Sequence, residues 1–258
     1  MSNKKYETKN ENSKGFTLAE VLITLGIIGV VAAMTIPTLI KNYQKTVWVN
    51  QLKKSVSTLE QGFQKMLADD GVDKLQDTTI FRSINAQSCR AGYLTTDCPD
   101  FYSNLKNYFN VSDANISYKT KWLGGSTRAT YEHVTTLGDG SFLFDTVFYK
   151  LPTPEDDCSN IYKLGGKLCE RIANITVDVN GDRGPNETGR DIQEFALSSE
   201  GHLYPKHGKH HAIWNTGGAE NWESSEEYWK SEISGYCKKG DGEGCAARII
   251  ENGWKMDY

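Results

Sequence analysis

The stretch that decides the architecture is Lys14-Gly15-Phe16-Thr17-Leu18-Ala19-Glu20, which runs without a break into an apolar segment ending at Ile36. Phe16 to Ile36 is 21 residues, about 31 Å as a helix at ~1.5 Å per residue. That length matches a hydrocarbon core of about 30 Å. Ahead of it, Met1 to Lys14 carries Lys4, Lys5, Lys9 and Lys14 against Glu7 and Glu11, a net charge of +2. A basic flank before an apolar span stays on the cytoplasmic side. An ordinary secretory signal has a shorter apolar core and a small-residue cleavage site on its far side. Here the break in character precedes the span, at Gly15.

Glu20 is the residue that does not belong in such a span. An ionisable side chain in a membrane helix costs on the order of 2.5 kcal/mol or more and normally has a partner. No cation stands beside it in sequence. Cleavage between Gly15 and Phe16 would create one, the new amine of Phe16, on the same chain or on a neighbouring one.

Gly15-Phe16-Thr17-Leu18-Ala19-Glu20-Val21-Leu22 resembles the N-terminal motif of type IV pilins and of the pseudopilins of type II secretion. The resemblance covers residues 14 to 45. It implies that an inner-membrane prepilin peptidase cuts after Gly15 and methylates Phe16, and that Glu20 guides filament assembly. It implies a filament of copies of this chain and other pilin-like subunits, raised from the inner membrane on an assembly platform. The chain is longer than typical major subunits of that family, which points to a minor or tip subunit. Pro37 stands where the family often carries a helix-disrupting proline. By its own chemistry Pro37 removes a backbone donor and crowds the preceding turn, so a kink or melted turn is expected near Met34 to Pro37. Gly26, Gly29, Ala32 and Ala33 supply small residues of the kind that let helices pack closely in lipid.

Beyond Lys41 the pattern becomes amphipathic. Leu52, Val56, Leu59, Phe63 and Met66 recur at steps of four and three, with Lys53, Lys54, Ser57, Gln61 and Lys65 between them. One nearly continuous helix is expected from about Thr17 to Ala68, ended by Asp69-Asp70-Gly71. The expected organisation is a leader at 1–15, a membrane and filament-core helix at 16–40, the amphipathic half of the spine at 41–70, and an extracytoplasmic globular domain at 71–258. Strand signals at Tyr131–Thr136, Ser141–Tyr149, Ile172–Val179, Glu194–Leu197 and His202–Tyr204 predict an antiparallel sheet. Gly138-Asp139-Gly140 is the expected hairpin turn. Helical patches are expected at Phe101–Phe109, Ser224–Ile233 and Cys245–Asn252. The fold class is α+β, a long N-terminal helix laid on an antiparallel sheet.

Six cysteines, Cys89, Cys98, Cys158, Cys169, Cys237 and Cys245, all lie beyond the span, in three pairs separated by 9, 11 and 8 residues. In an oxidising compartment they read as disulfides. Each pair brackets a turn-rich segment, which favours the sequential pairing among the alternatives. The spacing is too wide for the C-x-x-C of metal–thiolate or redox sites.

Asp178-Val179-Asn180-Gly181-Asp182 alternates three oxygen side chains around one turn. Two readings stand: a tight turn whose side chains cap their own backbone, or a calcium loop. The stretch departs from an EF-hand loop, with Arg183 where the turn glycine is expected and Gly189 where the bidentate glutamate is expected. Asp191 or Glu187 could supply the distal ligand. Several pseudopilins hold calcium in a C-terminal loop, so the resemblance favours Ca²⁺ as the one cofactor to consider. His202, His207, His210 and His211 cluster with Lys206 and Lys209, but Pro205 and Gly208 favour a solvated loop over a zinc site.

The chain carries −4, and removing a +2 leader leaves −6. That argues against nucleic acid binding by the bulk domain. There is no nucleophile elbow, no phosphate-binding loop and no paired carboxylates in a persuasive context, so an enzyme is not expected. The expected function is a processed filament subunit. The alternatives are a membrane-anchored extracytoplasmic binding protein and a filament-tip adhesin using its aromatic loops.

Overall fold

The computed structural model describes residues 15–84, 88–91, 98, 101, 104–149, 171–207, 235–237 and 241–258. A single helix, α1 (Leu18–Asp70), forms the spine. It is followed by a 3₁₀ turn (Leu75–Asp77), a short α2 (Thr79–Arg82) and strand β1 (Ser88–Ala91). Then come β2 (Val111–Lys121), β3 (Thr127–Leu137), β4 (Phe142–Tyr149), β5 (Arg171–Asp178), β6 (Ile192–Ser198), β7 (Leu203–Pro205) and α3 (Cys245–Glu251). The expected α+β class holds. Contacts divide the chain into two compact units, residues 1–44 and 45–258.

In the first unit the apolar part of α1 has none of its most hydrophobic window buried, with a mean hydropathy of 2.2. Phe16, Leu22, Ile28, Val31, Leu39 and Tyr43 are all more than half exposed. Such a surface is stable only when lipid or other apolar helices cover it. Of the two expectations for the turn before Pro37, a kink or a melted turn, the turn is not melted: helix is continuous through it. Pro37 leaves the carbonyl of Ala33 without its usual donor. One turn back, Thr35 Oγ1 donates to the carbonyl of Val31 at 3.0 Å. Side-chain hydroxyls that bond the backbone in this way are one device that keeps polar groups satisfied within membrane helices.

In the second unit the amphipathic half of α1 buries Val49, Leu52, Leu59, Phe63 and Met66. Their steps of three, seven, four and three, with the half-buried Val56 in the gap, set them on one stripe. The stripe joins Leu137, Leu143, Phe148, Ile175, Val177, Phe195 and Leu197 from the sheet in the main core. Phe63→Ala here carries the cost of a fully buried aromatic, about 3–5 kcal/mol.

The sheet is antiparallel, in the order β2-β3-β4-β5-β6-β7, with β1 also paired to β4. β3 meets β4 only at Leu143 and Phe142; β1 takes the rest, Thr146 to Tyr149. The change of partner coincides with a bulge at Asp145, whose φ is +47. An extra residue in one strand flips the faces beyond it. Before the bulge Leu143 faces the main core, and Phe142 and Phe144 face a second cluster with Tyr118, Tyr131, Val134 and Ile192. After it, Phe148 returns to the main core. The β3–β4 turn is the expected Gly138-Asp139-Gly140: Asp139 Oδ1 accepts from the Ser141 amide at 3.0 Å, and Gly140 takes φ +87. Asp139 Oδ2 also receives Ser55 Oγ from α1 at 3.3 Å.

β1 and β2 are additional to the expected strands. The expected helix at Ser224–Ile233 and the Cys158–Cys169 pair lie outside the described residues. Cys89 is bonded to Cys98, and Cys237 to Cys245.

Candidate functional site

Two regions carry the residues singled out above. The first is the start of α1. Thr17 and Glu20 form a reciprocal cap: the Thr17 amide donates to Glu20 Oε2 at 2.8 Å, its hydroxyl donates to the same oxygen at 2.9 Å, and the Glu20 amide donates to Thr17 Oγ1 at 3.2 Å. This is a Thr-x-x-Glu capping box. In the uncut chain, where Phe16 has no free amine, the carboxylate at position 20 is thus held by Thr17. Sequence reasoning looked for a cation and passed over this neighbour, although the capping spacing was legible. Gly15 is exposed, and a Cβ added there would meet no heavy atom within 4 Å. Among the described residues nothing packs on the Gly15–Phe16 bond.

The second region is the connection from Asp178 at the end of β5 to Asp191 before β6. Asp178 is fully buried; Asn180 is half-buried and Asp182 exposed. Asp178 accepts the amide of Asn180 at 3.0 Å and a close hydrogen bond from the Tyr118 hydroxyl. Asn180 Nδ2 donates to the Gly184 carbonyl at 2.9 Å. The second buried carboxylate is Asp191, which accepts the amides of Asn186 and Glu187 at 2.9 and 2.8 Å. Burial first, and Asp191 second, push the Asp178 carboxyl well above the usual carboxylate range. Burial raises Asp191 as well.

The same connection is a structural hub. It reaches across to the end of β2, where the Lys121 amide donates to the Asn186 carbonyl and the Thr188 amide to the Lys121 carbonyl, both at 2.9 Å. The Gly124 amide donates to Glu187 Oε1 at 2.6 Å. Tyr258 Oη, near the C-terminus, donates to the Gly189 carbonyl at 2.6 Å. Gly189 and Gly242 let this connection lie against the Cys237–Cys245 loop. A Cβ on Gly242 would sit 2.2 Å from the Thr188 carbonyl oxygen.

The donor chemistry suits a hard cation. Calcium takes about six to eight oxygen ligands and tolerates mixed carboxylate and amide sets. Asn180 Oδ1 and Asn186 Oδ1 are buried, and no hydrogen-bond donor reaches either among the described residues. With Asp178 and Asp191 they make four oxygen-bearing side chains within one connection. Among the described residues no group of three or more His, Cys, Asp or Glu converges as a metal site. Any cation here therefore depends on amide oxygens beside the two carboxylates.

Among the described residues His202 and His207 join no metal-type cluster. His202 lies 3.8 Å from Glu60 of α1, and His207 Nε2 lies 3.3 Å from Glu243. His210 and His211 lie outside the described residues. His207 instead belongs to a latch. Its ring stacks on Tyr236 at 3.6 Å. Lys206 Nζ reaches Glu194 at 2.7 Å and Glu243 at 3.3 Å, and Arg128 reaches Glu194 at 2.6 Å. The hydrogen bond from His207 and the Lys206 ammonium hold the Glu243 carboxyl at about 2, against burial. A carboxylate lowered by folding contributes stability above its unfolded value of 4.5, and that contribution is lost as the pH falls through about 2. Glu243→Gln should cost on the order of 2–3 kcal/mol at pH 7 and flatten the loss of melting temperature between pH 4.5 and 2. An unchanged acid limb in the variant would show the latch to be energetically idle.

Against known proteins, the decisive observation is local. Residues 11–36 match the prokaryotic N-terminal methylation motif. The chain carries a class III prepilin signal, that of type IV pilins and pseudopilins. The matched segment takes in Gly15, Phe16, Glu20 and the apolar run to Ile36. The chain matches no curated protein and no solved structure. With the long apolar helix and the antiparallel sheet behind it, the prepilin signal heads a fold consistent with the pilin-like arrangement.

Proposed function

We propose that this chain is the precursor of a structural subunit of a type IV pilus-like filament or type II secretion pseudopilus. It inserts in the inner membrane with its leader in the cytoplasm, prepilin peptidase cuts after Gly15, and Phe16 is methylated. The apolar part of α1 then leaves lipid for the core of a helical filament, and the sheet domain faces outward. The observation that carries this reading is the prepilin signal at the head of an apolar helix that its own fold leaves uncovered. The chain acts by assembly, not by catalysis.

Glu20 has a specific part in this scheme. Cleavage turns Phe16 into an amine four residues from a carboxylate already oriented by Thr17. An ion pair formed there, within or between subunits, is strong in a dry filament core. Glu20→Val should leave the chain cut and membrane-bound, yet lower the filament recovered by shearing about tenfold or more, the change given by 1.4 kcal/mol per contact. Unchanged filament yield would sink the assembly role and favour a static anchor for an extracytoplasmic binding domain.

We also propose that the Asp178–Asp191 connection holds calcium, through Asp178, Asn180, Asn186 and Asp191, with the exposed Asp182 outside the set. The ion would neutralise two buried carboxylates and fasten the hub that joins β2, the Cys237–Cys245 loop and the C-terminus. Calcium at ~100 times its Kd should add about 2.7 kcal/mol, some 5–10 °C in Tm, and Asp191→Asn should abolish the increment. Equal melting temperatures in calcium and in chelator would show the connection to be a self-capped turn.

A further inference from the structure

Cys237 and Cys245 are bonded to each other and fully buried. The backbone that lies on Cys245 comes from the connection between β5 and β6. A Cβ on Gly189 would sit 2.8 Å from Cys245 Sγ and 3.0 Å from Gly242 Cα. Only a residue without a side chain, here at φ +85, brings the connection this close to the sulfur. Gly189 is fastened in place. Its amide donates to the Ile192 carbonyl at 2.8 Å, and its carbonyl accepts from Tyr258 Oη at 2.6 Å. In sequence it stands between Asn186 and Asp191, two of the four side chains assigned to calcium above. Asp191 in turn accepts the Asn186 and Glu187 amides. Whatever fixes Asp191 and Asn186 therefore also fixes the peptide that covers the sulfur. The Cys89–Cys98 bond is equally buried but lies in the main core.

We propose that calcium in the Asp178–Asp191 connection governs the access of dithiol reductants to the Cys237–Cys245 disulfide. The inference rests on the calcium reading above and extends it to a second site. In the reduction, a thiolate of the dithiol attacks one sulfur and expels the other cysteine as a thiolate. The second thiol of the reductant then displaces the first cysteine, which leaves two cysteine thiols and an oxidised reductant. With both cysteines buried, no attacking sulfur reaches the bond until its cover opens. On the Cys245 side that cover is the Gly189 peptide. Without the ion, opening relieves the repulsion between two buried carboxylates, Asp178 and Asp191. With the ion bound, opening breaks its coordination. The linkage runs both ways: a reduced loop no longer holds Gly242 against Thr188, and calcium binding weakens. The calcium-free chain is thus the form open to thiol–disulfide exchange, and the loaded chain is closed to it.

The full-length chain in detergent, exposed to dithiothreitol, alkylated at intervals and read by peptide mass spectrometry, tests this bond by bond. If opening precedes attack, calcium at ~100 times its Kd should slow reduction of Cys237–Cys245 about a hundredfold relative to chelator. Cys89–Cys98 should keep nearly the same rate in both. Asp191→Asn should remove the difference at Cys237–Cys245. Equal slowing at both bonds would overturn the proposal, because calcium would then act only by opposing unfolding of the whole domain. A rise in Tm with calcium but no slowing at Cys237–Cys245 would overturn the proposal alone and leave the calcium reading standing. Neither a rise in Tm nor any slowing would overturn the calcium reading and the proposal with it.

Discussion

Gly15→Leu should leave the chain uncut in cells that cut the wild type, while the purified variant melts at the wild-type temperature. The two halves of that expectation come from different facts. Among the described residues a side chain at position 15 meets nothing within 4 Å, so the folded unit has no stake in it. The peptidase does, because glycine before a scissile bond permits a backbone approach that a branched side chain blocks. Gly15→Ala should be cut more slowly, and Gly15→Leu not detectably. The readout is the mobility and N-terminus of the membrane-bound chain. Normal cleavage of Gly15→Leu would mean that the motif at residues 11–36 is not what directs processing.

Gly62→Ala should destabilise the folded unit by about 2–3 kcal/mol, a fall in Tm of some 5–10 °C. On an exposed helix the same change would stabilise by about 1 kcal/mol, so even the sign is informative. The reason is a ring. A Cβ on Gly62 would lie 2.1 Å from Phe109 Cε1 and 2.5 Å from its Cζ. Phe109 is only 5% exposed and sits edge-on to Phe63 at 5.2 Å, so it has little room to yield. Either α1 lifts from the sheet or the Phe63–Phe109 pair breaks. Gly62→Ala/Phe109→Leu should recover part of the loss, because the smaller side chain vacates that space. A raised Tm in Gly62→Ala would show that the ring turns aside freely and that helix propensity dominates.

Much of this was legible in the chain because its strongest signals are periodic. The stripe from Leu52 to Met66 announced both a helix and the face it buries. Gly138-Asp139-Gly140 marked a hairpin, and the strands at β4 and β5 are dense in branched and aromatic residues. β2 was not legible: Val111-Ser112-Asp113-Ala114-Asn115-Ile116-Ser117 is too polar to read as a strand. It is stabilised by a long pairing with β3 and by Tyr118 and Ile116 packing in the second cluster, neither of which has a strong local signature. Pro37 signalled a kink or a melted turn, and the turn is not melted because a proline removes one hydrogen bond without forbidding the turns around it.

At the candidate sites the same division holds. Glu20 stood out by its charge within an apolar run, whereas the roles expected of Gly15 and Phe16 came from the resemblance to the prepilin motif. Thr17 was readable as a cap but overshadowed by the prospective Phe16 amine. The oxygen pattern at Asp178, Asn180 and Asp182 drew attention to the connection between β5 and β6, and Asp191 stood among the distal alternatives. Only the fold shows that Asp178 is buried against Tyr118, some 60 residues earlier, and that Asp182 faces solvent. Alternation along a turn does not reveal which side chains the neighbouring strands will cover.

The most direct measurement is the mass of the N-terminal peptide of the chain isolated from its native membranes and filaments. Prepilin processing predicts a peptide that begins at Phe16 and carries one added methyl group. An N-terminus still at Met1 or Ser2 would contradict it, and the chain would then be a fixed anchor whose work is done by the sheet domain.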